Sequence, residues 1–217
     1  MNRKWIVGAF LGGLMTLSLS TGEAVNISYQ EYQMNDRVVI TVPLIFDMKN
    51  KETEASINEY FLESAKKTLN SIANKEELLK LERFEFISDY EVHYNEEDFL
   101  SILQKYYVYY GGAHGNTHYV PYNLDMKTER RVTLPDLFKE GADITALLTP
   151  LVQEELVASG QSKRVFDLSQ VSVEKDTIFY MTHTGLVILY SPYEIAPYSE
   201  GTIRIHIPWW KVEDQRK

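Results

Sequence analysis

Apolar residues recur at two different periods along this chain, and the alternation between them limits the fold it can adopt. From Arg37 the side chains Val38, Ile40, Val42, Leu44 and Phe46 repeat every second position, the spacing that lines one face of a β-strand. Their β-branching favours the same state. Pro43 interrupts the run and cannot donate to a ladder, so this strand is expected to be an edge or to bulge there. Between residues 51 and 81 the period changes. Ile57, Tyr60, Phe61, Ala65, Leu69 and Ile72 recur at spacings of three and four, with Glu, Lys and Asn opposite, which predicts an amphipathic helix lying on a sheet. A break near Asn74 then leads to a shorter segment around residues 78–81.

Strand patterning resumes with Phe84, Phe86, Tyr90, Val92 and Tyr94, and again from Phe99 to Tyr110 after the polar turn Asn95-Glu-Glu-Asp98. A short extended segment follows at 119–124, and Val132-Thr-Leu-Pro-Asp-Leu-Phe138 reads as a strand end running into a single helical turn. A second stripe, Ile144, Leu147, Leu148, Leu151, Val152 and Leu156, predicts a helix closed by Gly160. Three more strands are expected at 179–181, 186–190 and 203–207, with a hairpin turn at Thr184-Gly185. Strands outnumber helices and do not alternate regularly with them. The fold class is therefore α+β: two small lobes, each an antiparallel or mixed sheet covered by one helix. The polar turn places the expected boundary between an N-terminal domain at 25–95 and a C-terminal domain at 96–217.

With 217 residues, 44% of them hydrophobic, the chain can build sizeable cores. Its 22 Lys plus Arg against 31 Asp plus Glu, without a basic cluster in the sequence, disfavour a nucleic-acid binder, which needs clustered cations to release phosphate counterions. Arg3 and Lys4 precede an uncharged stretch from Trp5 to Gly22 whose apolar part has the length of a signal-peptide core and falls short of a comfortable membrane span. Gly22-Glu23-Ala24 supplies a small-x-small cleavage site. Residues 1–24 thus read as a signal peptide, with an uncleaved signal anchor as the alternative and the one membrane contact expected. The exported chain would carry 20 basic and 30 acidic residues, a net charge of -10. It has no Cys, so its cores must hold it without disulfides.

Chemistry-bearing residues concentrate between Tyr106 and Asp125. His114 and His118 flank Gly115-Asn116-Thr117 after a glycine pair, a context that places them on no common helical face and lacks the Glu of zinc-peptidase helices. Together with Asp125 they are weak candidates for a metal site, and the two histidines are weak candidates for catalysis. Loop-fixing hydrogen bonds are the plainer reading. No cofactor is expected: Gly111 and Gly112 fit neither a dinucleotide fingerprint nor a phosphate loop, and suggest positive φ or a close backbone approach. In Lys105-Tyr-Tyr-Val-Tyr-Tyr110 aromatic rings lie on both faces of one strand, one face for the core and the other for packing or for a glycan or protein partner. The candidate binding surface is Tyr107, Tyr109, Gly111, Gly112, His114, Asn116 and His118. Ser162, Ser169 and Ser191 lack a nucleophile-elbow context, and adjacent acidic pairs such as Glu96-Glu97 and Glu154-Glu155 define no glycosidase dyad.

Four ordered motifs over about 100 residues carry a family resemblance: Tyr109-Tyr-Gly-Gly-Ala-His-Gly-Asn116; Tyr122-Asn-Leu-Asp-Met-Lys127 with Leu134-Pro-Asp-Leu-Phe138; Phe179-Tyr-Met-Thr-His-Thr-Gly-Leu186; and Ser191-Pro-Tyr-Glu-Ile-Ala-Pro-Tyr198 with Gly201 and Ile207-Pro208. In these the chain resembles a family of extracytoplasmic bacterial domains of unknown function, and the region before residue 95 looks like the smaller α/β domain that usually precedes it. That pair of domains occurs in lysozyme-sensing anti-sigma factors, where it binds lysozyme, and ahead of the catalytic domain of some peptidoglycan deacetylases. The resemblance implies an envelope-facing, non-enzymatic binding module, secreted or held in the cell envelope, whose partner is a lysozyme-like protein or a peptidoglycan fragment. Neither a cytoplasmic sigma-binding region nor a deacetylase domain is expected here. The family's usual glycine after the Asp-x-Lys-Thr turn is replaced by Glu129. A small peptidoglycan-modifying hydrolase using His114 and His118, and a structural envelope protein without a small ligand, are the alternatives. Nothing in the sequence fixes the oligomeric state.

Overall fold

The computed structural model describes residues 25–73, 82–96 and 99–217. The expected export segment, the short segment near residue 80 and the tip of the 95–98 turn lie outside them. Among the described residues nine strands and two α-helices follow in the order β1 (Asn26–Asn35), β2 (Val38–Phe46), α1 (Lys51–Ala73), β3 (Phe84–Glu96), β4 (Phe99–Tyr110), β5 (Asn116–Asp125), β6 (Arg130–Arg131), α2 (Ile144–Ala158), β7 (Ile178–Met181), β8 (Gly185–Tyr190) and β9 (Ile203–Pro208). The first six form one sheet in chain order, and the last three form a second. Every pairing is antiparallel except β2–β3, which α1 connects as a crossover.

That parallel pairing is short, joining Val38–Ile40 to Phe86–Ser88. Beyond Ile40 strand β2 keeps only β1 as a neighbour, and Pro43, opposite Tyr29, sits in this one-sided stretch where a missing N–H is tolerated. Gln104 fills the place where β2 departs: its amide donates to the carbonyls of Thr41 and Asp89 at 3.0 Å each and to the Ser88 hydroxyl at 2.7 Å. The side chain is buried, and these bonds satisfy it.

Helix α1 starts where Asn50 Oδ1 accepts from the backbone N–H groups of Glu52 and Thr53. Ile57, Phe61 and Ala65 of its stripe are buried on the sheet against Val38, Ile40, Val42, Leu100 and Ile102. Tyr122 packs beneath the helix, its ring 4.9 Å from Phe61 and its hydroxyl donating to Ser64 Oγ at 2.9 Å. In the second lobe Asp143 caps α2 by accepting from Ala146 N, and Ile144, Leu148, Val152 and Leu156 bury themselves against the three-stranded sheet.

The lobes share strand β4. Leu100 and Ile102 face α1, while Leu103, on the opposite face, packs with Tyr180, Val187 and Leu189 of the second sheet. The exposed edge of β7 is closed by polar side chains of the large sheet: Met181 N donates to Ser101 Oγ at 3.0 Å, and Asn123 Nδ2 donates to Phe179 O at 2.9 Å. Covering an edge strand in this way removes a template for pairing with other chains. The expected domain boundary at residues 95 and 96 falls inside the six-stranded sheet, at the hairpin pairing Glu96 with Phe99. The second core draws its fully buried residues from Leu134 onward. A polar turn marks a hairpin as readily as a boundary.

Candidate functional site

The motif between β4 and β5 is a tight loop organised by its glycines. Gly111 has φ +86°, a conformation glycine adopts without steric cost. The Tyr109 hydroxyl donates back to Gly112 O at 2.8 Å. Gly115 is buried, and a Cβ there would overlap the Tyr107 ring. Tyr107 and Gly115 therefore form one packing unit.

This loop meets the second lobe. The His114 ring stacks on Tyr198 with centroids 3.7 Å apart and planes 19° from parallel, and its Nε2 lies 3.3 Å from the Tyr193 hydroxyl. Tyr198 Oη donates to Gly115 O at 2.7 Å. The 191–198 segment is a closed turn, in which Tyr193 N donates to Ala196 O and Ser191 N donates to the Glu194 carboxyl at 2.7 Å. Burial raises the Glu194 pKa above its ordinary value. Tyr193 has φ +71°, a strained conformation for a bulky side chain, and the residue is 57% exposed. Two motifs 80 residues apart in sequence thus build one ledge. His114 and Tyr193 are exposed on it, while Tyr107 and Tyr198 support it; Tyr110 lies on the α1 face of β4, its ring 5.6 Å from Phe84.

The remaining sequence candidates lie elsewhere. His118 is exposed on β5 opposite Tyr106, and by strand alternation it shares the α1 face with Val120 and Tyr122, away from the Tyr198 side on which His114 stacks. Asn116 is exposed opposite Val108 at the start of β5. Asp125 ends β5, seven residues or about 23 Å along the strand from His118, and its Oδ1 accepts from Lys127 N and Thr128 N. His114, His118 and Asp125 do not converge. Among the described residues no group of three His, Asp or Glu side chains could hold a metal ion, and no Ser hydroxyl is hydrogen-bonded to a His. The Thr184 hydroxyl does reach His206 Nε2, at 3.0 Å on an exposed hairpin.

A second constellation, not anticipated from sequence, spans the lobes. Arg204 of β9 forms two hydrogen bonds with the Glu91 carboxylate of β3, at 2.8 and 3.0 Å, and its guanidinium lies over Tyr119 and Tyr180. His93 stacks on Tyr180 at 3.7 Å; its Nε2 is 3.0 Å from Glu91 Oε2 but lacks the alignment of a hydrogen bond. The hydrogen bond from Arg204 lowers the Glu91 pKa, and burial lowers that of His93. These residues come together only through the lobe interface. The alternation of β9 placed Arg204 on a strand face, but not which partner that face meets.

Residues 29–117 match the family model described as Deacetylase PdaC, and residues 135–210 match that of a Protein of unknown function (DUF3298). The chain is similar to the anti-sigma-V factor RsiV of Bacillus subtilis, 25% identical over 191 residues that cover 84% of this chain and 66% of that protein. It is similar to the esterase Rv3036c of Mycobacterium tuberculosis, 25% identical over 109 residues, 50% of this chain and 48% of the esterase. It is also similar to the peptidoglycan-N-acetylmuramic acid deacetylase PdaC of Bacillus subtilis, 24% identical over 108 residues, 50% of this chain and 23% of the deacetylase. The chain thus spans between about a quarter and two thirds of the length of these relatives. Two solved structures of DUF3298 proteins share the fold. The one from Bacteroides fragilis has a TM-score of 0.70 at 19% identity, covering 91% of this chain and 95% of that one. The one from Pseudomonas aeruginosa has a TM-score of 0.65 at 15% identity, covering 90% and 96%. The ledge is therefore built from one loop of each of two regions matched in tandem, residues 29–117 by the PdaC model and residues 135–210 by the DUF3298 model.

Proposed function

We propose that this chain is a non-enzymatic binding module of the bacterial cell envelope, exported by its N-terminal segment, and that the ledge of His114 and Tyr193 recognises a lysozyme-like protein. The observation that carries this reading is the meeting of the 109–116 and 191–198 loops. It sets exposed aromatic rings on a supported, hydrogen-bonded base, and rigid aromatic anchors dominate protein interfaces. Similarity to an anti-sigma factor over 84% of the chain supports a sensing or binding role. The acidic balance, -10 after removal of residues 1–24, would steer a basic partner toward the module without creating specificity. The separation of His114 from His118 and Asp125 leaves the hydrolase alternative without a catalytic geometry. The esterase relative is matched over 50% of this chain, and among the described residues no Ser hydroxyl is hydrogen-bonded to a His that could activate it.

Calorimetric titration of the full chain with lysozyme, at low and near-physiological salt and beside an unrelated protein of equal basicity, tests the reading. Saturable binding that persists in salt and is absent for the control is expected. Binding that disappears with salt or is shared with the control would reduce the interaction to charge attraction. Heat only with peptidoglycan fragments would move the ledge to glycan recognition.

A further inference from the structure

At the opposite end of β4 from the ledge lies a cavity of about 380 Å³, within the roughly 300–1,000 Å³ of small-molecule sites. Phe99, Leu137, Met181 and Trp209 give it an apolar floor, and Arg130, Arg216 and Lys217 stand at its mouth. These cations gather on a chain whose overall balance is 22 basic to 31 acidic residues.

The two carboxylates that reach the cavity are already engaged by their own turns. Asp125 accepts from the backbone N–H groups of Lys127 and Thr128, and Asp136 accepts from the N–H of Thr133 at 2.8 Å and from its hydroxyl at 2.5 Å. Neither forms an ion pair with Arg130 or Arg216 among the described residues. The Arg216 guanidinium sits 4.1 Å over the Trp209 ring, which fixes its position while leaving its N–H donors free.

We propose that this cavity binds a monosaccharide unit bearing a carboxylate. The arginines match a carboxylate fork. The remaining carboxylate lone pairs of Asp125 and Asp136, with the Thr128 hydroxyl, match the donors of a hydroxyl-rich ring, and the apolar floor matches its C–H face. An apolar acid would leave those carboxylates desolvated without partners. A phosphate would set a second negative charge against both of them. The site is separate from the ledge and does not rest on lysozyme recognition.

The test follows the Trp209 indole resonance, whose Nε1 donates to Thr182 O at 3.1 Å, in the full chain at constant ionic strength. The probes are methyl glucuronoside, methyl glucoside and acetate. A saturable shift with the glucuronoside is expected, with the glucoside, which lacks the charge-assisted contact, and acetate, which lacks the hydroxyl-rich ring, each at least about tenfold weaker. Arg130→Glu, at an exposed position, and Arg216→Gln should each weaken the glucuronoside by about tenfold or more. Equal response to glucoside would make the site a neutral sugar site. Equal response to acetate would make it a bare anion site. Either result overturns the proposal, as does the absence of saturation or binding indifferent to Arg130→Glu.

Discussion

At Gly115 a single added methyl group would enter the Tyr107 ring. Gly115→Ala should cost about 1–3 kcal/mol, the usual range for overpacking a tight site, and should weaken partner binding because Gly115 O also holds the Tyr198 hydroxyl. Urea unfolding and calorimetry on the same variant read both effects. Glu129 presents the converse case. It stands where the family resemblance has glycine, it carries φ +57°, and its carboxylate accepts the hydroxyl of buried Thr53 on α1. The residue keeps a left-handed backbone that glycine would adopt freely, and gains a hydrogen bond that glycine cannot make. Glu129→Ala loses the bond and keeps the strain, so it should unfold at lower urea than Glu129→Gly, by about 1 kcal/mol. Equal stability of the two variants would show that the left-handed turn carries no strain.

At the scale of elements, the pattern of apolar residues was informative wherever one face met a core. The period-two runs of β2 and β9 and the stripes of both helices all correspond to elements, because burial of one face imposes its own spacing on the sequence. Strand β1 escaped because it is an edge whose side chains are mostly half-exposed and polar, with no buried face to impose a rhythm. The closure of the β7 edge was equally hidden, since nothing in the local sequence of Ser101 or Asn123 says that they meet a strand 56 to 80 residues away. Asn123→Leu should destabilise the chain by about 2–3 kcal/mol, because Phe179 O and Ser101 Oγ lose a buried partner. Thermal or urea unfolding measures it.

The β3–β9 contact adds a pH dependence. His93 faces Glu91 on its own strand, Tyr180 of β7 and the Arg204 guanidinium of β9. Burial holds its pKa below the ordinary 6.5, so the unfolded chain takes up the proton first. The contribution is complete above about pH 6.5 and declines as the pH falls below it. Glu91, also held low, adds a further loss at more acidic pH. Wild type should therefore lose urea stability between pH 7.5 and 5.5, and His93→Phe should lose markedly less. Parallel behaviour of the two would remove His93 as the cause.

For the whole molecule, the fold class was legible because two helical stripes and many alternating runs can close their cores in few ways. The candidate surface was legible only in part. Tyr107 and Tyr109 end β4 and lead into the loop that holds Gly111, Gly112 and His114, but His118 turns to the α1 face. Tyr193 and Tyr198, which complete the ledge, come from the other lobe. Their place beside His114 is set by the way β7 docks on the large sheet, a long-range contact that no local spacing encodes. The ordered motifs carried the signal that these segments matter, without saying that they touch.

Hydrogen–deuterium exchange of the full chain, with and without lysozyme, tests that junction most directly. The 109–116 and 191–198 segments should gain protection together, and Tyr193→Ala should abolish the gain in both. Protection confined to one segment, or falling elsewhere on the surface, would contradict a single recognition ledge built by two lobes.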